Sequence, residues 1–169
     1  EELYGEGKLR SIGISNFYPD RMVDLCSFSR IRPMVNQVET HPHNQQTEAQ
    51  KWMQKYGVQI EAWAPFGEGR GGLFTDGTIA KIAAKYERTV AQIILRWELQ
   101  RGIVVIPKSV HIERMIENFN VFDFALSDEE MAIMATLDKK QSSFFSHTDP
   151  NMVEQRKSNH DHSKDKKKW

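Results

Sequence analysis

Lys108, Ser109 and Arg114 bring a fixed cation, a hydroxyl and a guanidinium within seven residues of one another. Such a set can hold a monophosphate, the guanidinium gripping two oxygens at once and a helix beginning there adding its positive end. Ser15 and Asn16 pair a hydroxyl with an amide that donates and accepts together, which suits a planar carboxamide; taken alone, the pair reads equally as turn or capping chemistry. Trp63 offers a flat face for a ring to stack on, with Asn16 and Gln37 able to read that ring's polar edge, or it is a core tryptophan. The run Gly67-Glu68-Gly69-Arg70-Gly71-Gly72 has the freedom to approach a pyrophosphate closely, or is a flexible connection. The pairs His41-Pro42-His43 and His160-Asp161-His162 lack a third or fourth ligand at sensible spacing, so no metal is expected. Cys26 lies on an apolar helical face with no base nearby in sequence, and is expected to be packing.

Four short β-branched runs must position these groups: Ser11 to Ile14, Met34 to Val38, Val58 to Ala62, and Ile103 to Ile106. Between them the spacing is helical. Pro19-Asp20 opens a helix with Met22, Leu25 and Cys26 on one face; Ala49, Trp52, Met53 and Tyr56 fall at i, i+3, i+4 and i+7. A longer helical region from Thr78 to Arg101 breaks near Arg88-Thr89. Glu113 to Phe119 reads as helix, and Ser127-Asp128-Glu129-Glu130 as a capping box opening a helix with Met131, Met134 and Leu137 inward. The order β-α-β-α-β-α-β-α predicts an α/β fold with a parallel sheet, because each parallel connection needs a crossover. Periodicity leaves two choices, an open doubly wound sheet or half of an eight-stranded barrel. In either, the site lies at the C-terminal ends of the strands, where Ser15-Asn16, Glu39 to Pro42, Trp63 to Gly67 and Pro107 to Ser109 fall.

Composition bounds the rest. With 23 Lys or Arg against 23 Asp or Glu the 169-residue chain is formally neutral, which excludes bulk attraction to a polyanion. The last 31 residues carry eight Lys or Arg and four Asp or Glu, the first 138 fifteen and nineteen, so a mild asymmetry underlies the balance. Lys164 to Lys168 reads as a solvated terminal run rather than a nucleic-acid site. One cysteine closes no intrachain disulfide and suits a reducing, cytoplasmic setting. No run reaches the roughly 20 apolar residues that span a bilayer, and Glu1 to Gly5 form no signal peptide. Glu1 to Lys8 looks like the last turns of a charged helix, so the chain is expected to be a cut piece.

Taken together, the segments resemble the aldo-keto reductases, NADPH-dependent (β/α)8-barrel (TIM-barrel) oxidoreductases, and most closely the bacterial members similar to 2,5-diketo-gluconate reductase. Gly7 to Phe17 looks like the family's strand five, Val35 to Glu39 its strand six, and Glu61 to Gly67 its strand seven. Ile106 to Val110, with Arg114, Glu117-Asn118 and Val121 to Phe124, looks like strand eight and its cofactor helix. Phe144-Phe145 through Val153 is similar to the C-terminal segment. The resemblance therefore implies the C-terminal half of a barrel over residues 1–138, a family-like segment over 139–153, and a polar, basic tail over 154–169, expected to be disordered.

It also implies roles. Ser15, Asn16 and Gln37 would hold the nicotinamide carboxamide, and Trp63 would stack on its ring where many relatives have Tyr. Phe66 and Gly67 would pass the pyrophosphate. Lys108, Ser109 and Arg114 would bind the 2′-phosphate, favouring NADPH over NADH, and Glu117 and Asn118 would meet the adenine. His111 stands where close relatives tend to have another basic residue. The family's catalytic Asp, Tyr, Lys and His belong to strands preceding the first one here, so no catalytic residue is assigned. The family passes hydride to a carbonyl carbon while the Tyr protonates the oxygen; this chain would carry the hydride donor's cradle without the acid and would be inactive alone. Its partners would be the missing N-terminal half and a small carbonyl substrate, an aldehyde, ketone or keto sugar acid, with no nucleic acid and no membrane. The alternative is a catalytically silent NADPH-binding regulatory or scaffold protein of the same fold.

Overall fold

A computed structural model describes residues 1–152, 154 and 155. The 156–169 run, with His160-Asp161-His162 and Lys164 to Lys168, lies outside the described residues, as does Val153. The strands are β1 (Gly13–Ser15), β2 (Val35–Glu39), β3 (Gln59–Trp63) and β4 (Val104–Val105), and the helices α1 (Glu2–Gly5), α2 (Pro19–Phe28), α3 (Thr47–Tyr56), α4 (Gly77–Lys85), α5 (Val90–Gln100), α6 (Ile112–Phe119) and α7 (Asp128–Ala135). All four strands are parallel, in the order β1-β2-β3-β4. Each crossover is helical, as the alternation predicts, and β4 is reduced to two residues of its expected run. Among the described residues no helix is long and apolar enough to cross a membrane.

The period of two divides the sheet into unlike faces. Ile14, Asn36, Ile60 and Val105 point toward the helices, where Val38, Ile60 and Ala62 join Met22, Cys26, Ala49 and Met53 in one core. Cys26 is buried packing, as expected, with its thiol 3.5 Å from the Met22 sulfur. On the other face Ser15, Gln37, Glu61 and Val104 stand in register, one from each strand. No described helix covers that row, and among the described residues both β1 and β4 are unpaired at their outer edges.

A second core gathers α4, α5 and α7 around Leu73, Ile79, Ile94, Trp97 and Met134. The break between α4 and α5 falls where the sequence places it. Glu87 adopts a left-handed backbone (φ 53°), and Thr89 caps α5 in a reciprocal capping box with Gln92. The capping box at Ser127 and Glu130 forms as predicted, with Met134 inward and Met131 and Leu137 partly buried beside it. The glycine run is a folded loop rather than a loose one. Two 3-10 turns, Gly67–Gly69 and Leu73–Thr75, carry it down until Leu73 is buried. Left-handed conformations at Ala64, Gly67, Glu68, Gly69, Gly71 and Gly72 make that path possible.

Glu98, near the end of α5, has no accessible surface, and neither carboxylate oxygen has a hydrogen-bond partner. Burial pushes its carboxyl well above the ordinary range, against the opposing pull of Arg101. The folded state therefore keeps the proton while the unfolded chain releases it above about pH 4.3, so this site costs stability as pH rises. Glu98→Gln is expected to raise the stability at pH 7 by about 1–3 kcal/mol, with a smaller gain at pH 4.5; an unchanged melting temperature at pH 7 would contradict the assignment.

Candidate functional site

At the C-terminal ends of β1, β2 and β3 the polar residues form one connected chain. Asn16 follows β1 in the left-handed region (φ 59°), which Asn tolerates better than most side chains. Its backbone N–H donates to the Gln37 carbonyl at 2.9 Å. The turn is clamped from the helix side by buried Asn36, whose amide donates to the Phe17 carbonyl at 2.6 Å. So placed, the Asn16 carboxamide accepts from Trp63 Nε1–H at 2.8 Å and donates to Ser15 Oγ at 3.2 Å. Ser15 Oγ–H donates to the Gln37 carbonyl at 3.0 Å, and Gln37 Nε2 donates to Glu61 Oε1 at 2.6 Å. The structure thus brings Ser15, Asn16, Gln37 and Trp63 together. Sequence reasoning missed Glu61, although alternation along β3 puts it in the same row as Gln37.

Trp63 is half-buried, neither a free platform nor a core residue. The Phe144 ring lies 5.1 Å from it, tilted by 55°, and the Arg70 guanidinium sits 4.6 Å from the centre of the Phe144 ring. Phe144 is carried there by a tether the sequence did not suggest. Glu39, fully buried at the end of β2, accepts from Ser142 Oγ–H at 2.5 Å, from Ser143 N–H at 2.7 Å and from His41 Nε2–H at 2.9 Å. Burial alone would raise the Glu39 carboxyl, but the hydrogen bonds from His41, Ser142 and Ser143 outweigh it and hold the group below the ordinary carboxylate range. Among the described residues no group of three His, Cys, Asp or Glu side chains is arranged to hold a metal.

Beyond Trp63, Gly67 is buried with φ 57°, and Phe66 packs 5.5 Å from Phe74 at the rim of the second core. Lys108 and Arg114 are exposed, with no ion pair among the described residues. The helix α6 beside them begins at His111 with no side-chain cap, which leaves its first amides open. Ser109 does turn chemistry as well, its Oγ accepting from the His111 N–H at 3.1 Å. Glu117 is engaged on its α5 side, accepting from Thr89 Oγ–H at 2.7 Å, and Asn118 is half-buried beside it.

Four parallel βα units with polar residues gathered at the strand ends define an α/β layer with one connected polar site. The sequence model of the Aldo/keto reductase family matches residues 1–139, and the chain belongs to that family. It is 45% identical over 141 residues to the glyoxal reductase of Bacillus subtilis, covering 83% of this chain and 50% of that protein. Among solved structures it is similar to the aldo-keto reductase MGS-M4 from a deep-sea metagenome (TM-score 0.84, 41% identity, 88% of this chain and 55% of that one). It is also similar to a Bombyx mori aldo-keto reductase in complex with NADP (TM-score 0.80, 36% identity, 85% and 50%). The chain spans about half the length of the curated relatives it matches. The solved neighbours are (β/α)8 barrels, and the four-stranded sheet here is part of one.

The Glu39 tether has a sign that can be checked. A carboxyl held below its ordinary value contributes stability above about pH 4.3 and loses it as pH falls through the lowered value. Glu39→Gln removes the charge and is expected to loosen the 139–149 segment by about 2 kcal/mol, read as faster proteolysis near Phe144-Phe145 at pH 7. Acidifying the unsubstituted chain through the lowered value is expected to do the same, and equal cleavage of both chains at pH 7 would contradict the tether.

Proposed function

We propose that this chain is the cofactor-binding C-terminal half of an NADPH-dependent aldo-keto reductase acting on a small carbonyl compound. The observation that carries the reading is the uncovered row Ser15-Gln37-Glu61 continued through Asn16 to Trp63. Its donors and acceptors are oriented by one another before anything binds, an arrangement of the kind that suits a planar carboxamide and its ring. Ser15, Asn16 and Gln37 would hold the carboxamide, with Glu61 fixing the Gln37 amide. Trp63, steadied by Asn16, would meet the ring. Phe66 and Gly67 would border the pyrophosphate, and Glu117 and Asn118 the adenine.

Lys108 and Arg114, without an ion pair among the described residues and beside the uncapped first turn of α6, would suit a 2′-phosphate, with Ser109 supplying a hydroxyl from a turn that holds it still. A bound nicotinamide nucleotide supplies the hydride. Nothing in this chain is assigned to protonate the carbonyl oxygen; that group would come from the complementary half-barrel, in the reducing cytoplasmic setting that free Cys26 suits. Support for such a partner comes from the bare sheet face, the two unpaired edges and the stripe on α6. There Ile112, Met115, Ile116 and Phe119 are 67%, 47%, 58% and 74% exposed, at a spacing that would normally be buried.

Lys108→Ala and Arg114→Ala are each expected to weaken NADPH binding about tenfold and to leave NADH little changed. Asn16→Ala is expected to weaken both nucleotides alike. Equal losses of NADPH and NADH in the Lys108 and Arg114 variants would contradict the phosphate assignment.

A further inference from the structure

Among the described residues the Trp63 side chain makes one hydrogen bond, from Nε1–H to Asn16, and a single bond pins a point on the indole rather than its plane. The plane is what a stacking partner meets. Two rings pack against it: Phe144 at 5.1 Å, tilted by 55°, and His147 farther off at 6.0 Å, edge-on at 74°. Both come from the segment after α7. The nearer ring, Phe144, does most to set the tilt of the indole.

Phe144 is not there as core. It belongs to neither hydrophobic core and stays partly exposed. It lines a cavity of about 790 Å3 between the start of α2, the first turns of α3 and the 138–148 segment. Packing is open on that side, so the ring's position depends on the contacts that restrain it. The Arg70 guanidinium, 4.6 Å from its centre, is one of them. Its backbone is fixed more tightly. Ser142 Oγ accepts from the Phe144 and Phe145 N–H groups at 3.0 and 3.1 Å, while its own hydroxyl donates to buried Glu39 at 2.5 Å. One hydroxyl thus joins the buried carboxylate at the end of β2 to the amide that carries the ring.

We infer that Phe144 is a positioning residue for the nicotinamide: held by Ser142 and Glu39, it keeps Trp63 at the tilt on which the nicotinamide ring stacks. The inference rests on the nucleotide reading above and adds to it a residue that acts only through Trp63. Without the Phe144 ring the indole is free to turn about its Asn16 contact. The nicotinamide end of the dinucleotide then loses its platform, while the adenine end, at Lys108 and Arg114, is left as it was.

Calorimetric titration of the 169-residue chain and its variants with NADPH, NADH and adenosine 2′,5′-bisphosphate, which carries the adenine and 2′-phosphate but no nicotinamide, tests this. Phe144→Leu is expected to weaken NADPH and NADH about fivefold each and to leave the bisphosphate unchanged. Phe144→Tyr, which keeps the ring, should hold NADPH as tightly as the unsubstituted chain. Ser142→Ala should weaken NADPH by a similar factor on its own and add nothing to Phe144→Leu, because both act through one ring. NADPH affinity indifferent to Phe144→Leu would overturn the inference. So would an equal loss of the bisphosphate, the mark of a general loosening, or fully additive losses in the double variant. An unsubstituted chain that binds neither NADPH nor the bisphosphate would overturn the nucleotide reading itself, and this inference with it.

Discussion

The parallel register of β1, β2 and β3 is the constraint on which the remainder depends. Because side chains alternate faces, sliding one strand by a single residue would turn Gln37 or Glu61 into the helical core and expose Val38 or Ile60. Burial of Val38, Ile60 and Ala62 against α2 and α3 fixes that register. The same burial therefore stands Ser15, Gln37 and Glu61 in a row on the opposite face. Stability and site geometry are two consequences of one packing arrangement.

The second organising contact is Glu39. A carboxylate with no accessible surface is costly unless its oxygens are satisfied, and here His41, Ser142 and Ser143 satisfy them. Since Ser142 and Ser143 come from the segment after α7, a buried charge on β2 is stabilised only when the end of the chain folds back. That return seats Phe144 against Trp63 and also shapes the cavity beside α3. The polar row at the strand ends and the cavity beside α3 thus meet at Phe144. The edges of the sheet, unpaired among the described residues, and the exposed α6 stripe belong to the same picture, a sheet with one face left uncovered by the described helices.

Much of this was legible in the sequence, and what was not has a common physical character. Strand and helix identities followed from periodicities of two and 3.6, the α4–α5 break from Arg88-Thr89, and the α7 start from Ser127 and Glu130, all signals carried by near neighbours. Ser15, Asn16, Gln37 and Trp63 could be grouped because parallel topology sends strand ends to one place. Contacts between residues far apart left no such trace. The Glu39 tether spans about a hundred residues, the Glu117–Thr89 contact joins two helices, and the folding of the glycine run depends on where Leu73 finds a core. Glu61 was within reach of alternation, but a glutamate in a strand reads as solvent-facing until the strands beside it are known. Glu98 runs against expectation outright, since its helical position predicts burial and its charge argues against it.

The central proposal is that this chain would supply the hydride donor's cradle while the proton donor would come from a complementary half. Its most direct test is NADPH consumption with an aldehyde substrate, followed for the chain alone and after addition of the N-terminal half of the Bacillus subtilis glyoxal reductase. The account predicts no turnover by the chain alone and turnover once the complementary half is present. Robust aldehyde reduction by the chain alone would contradict it.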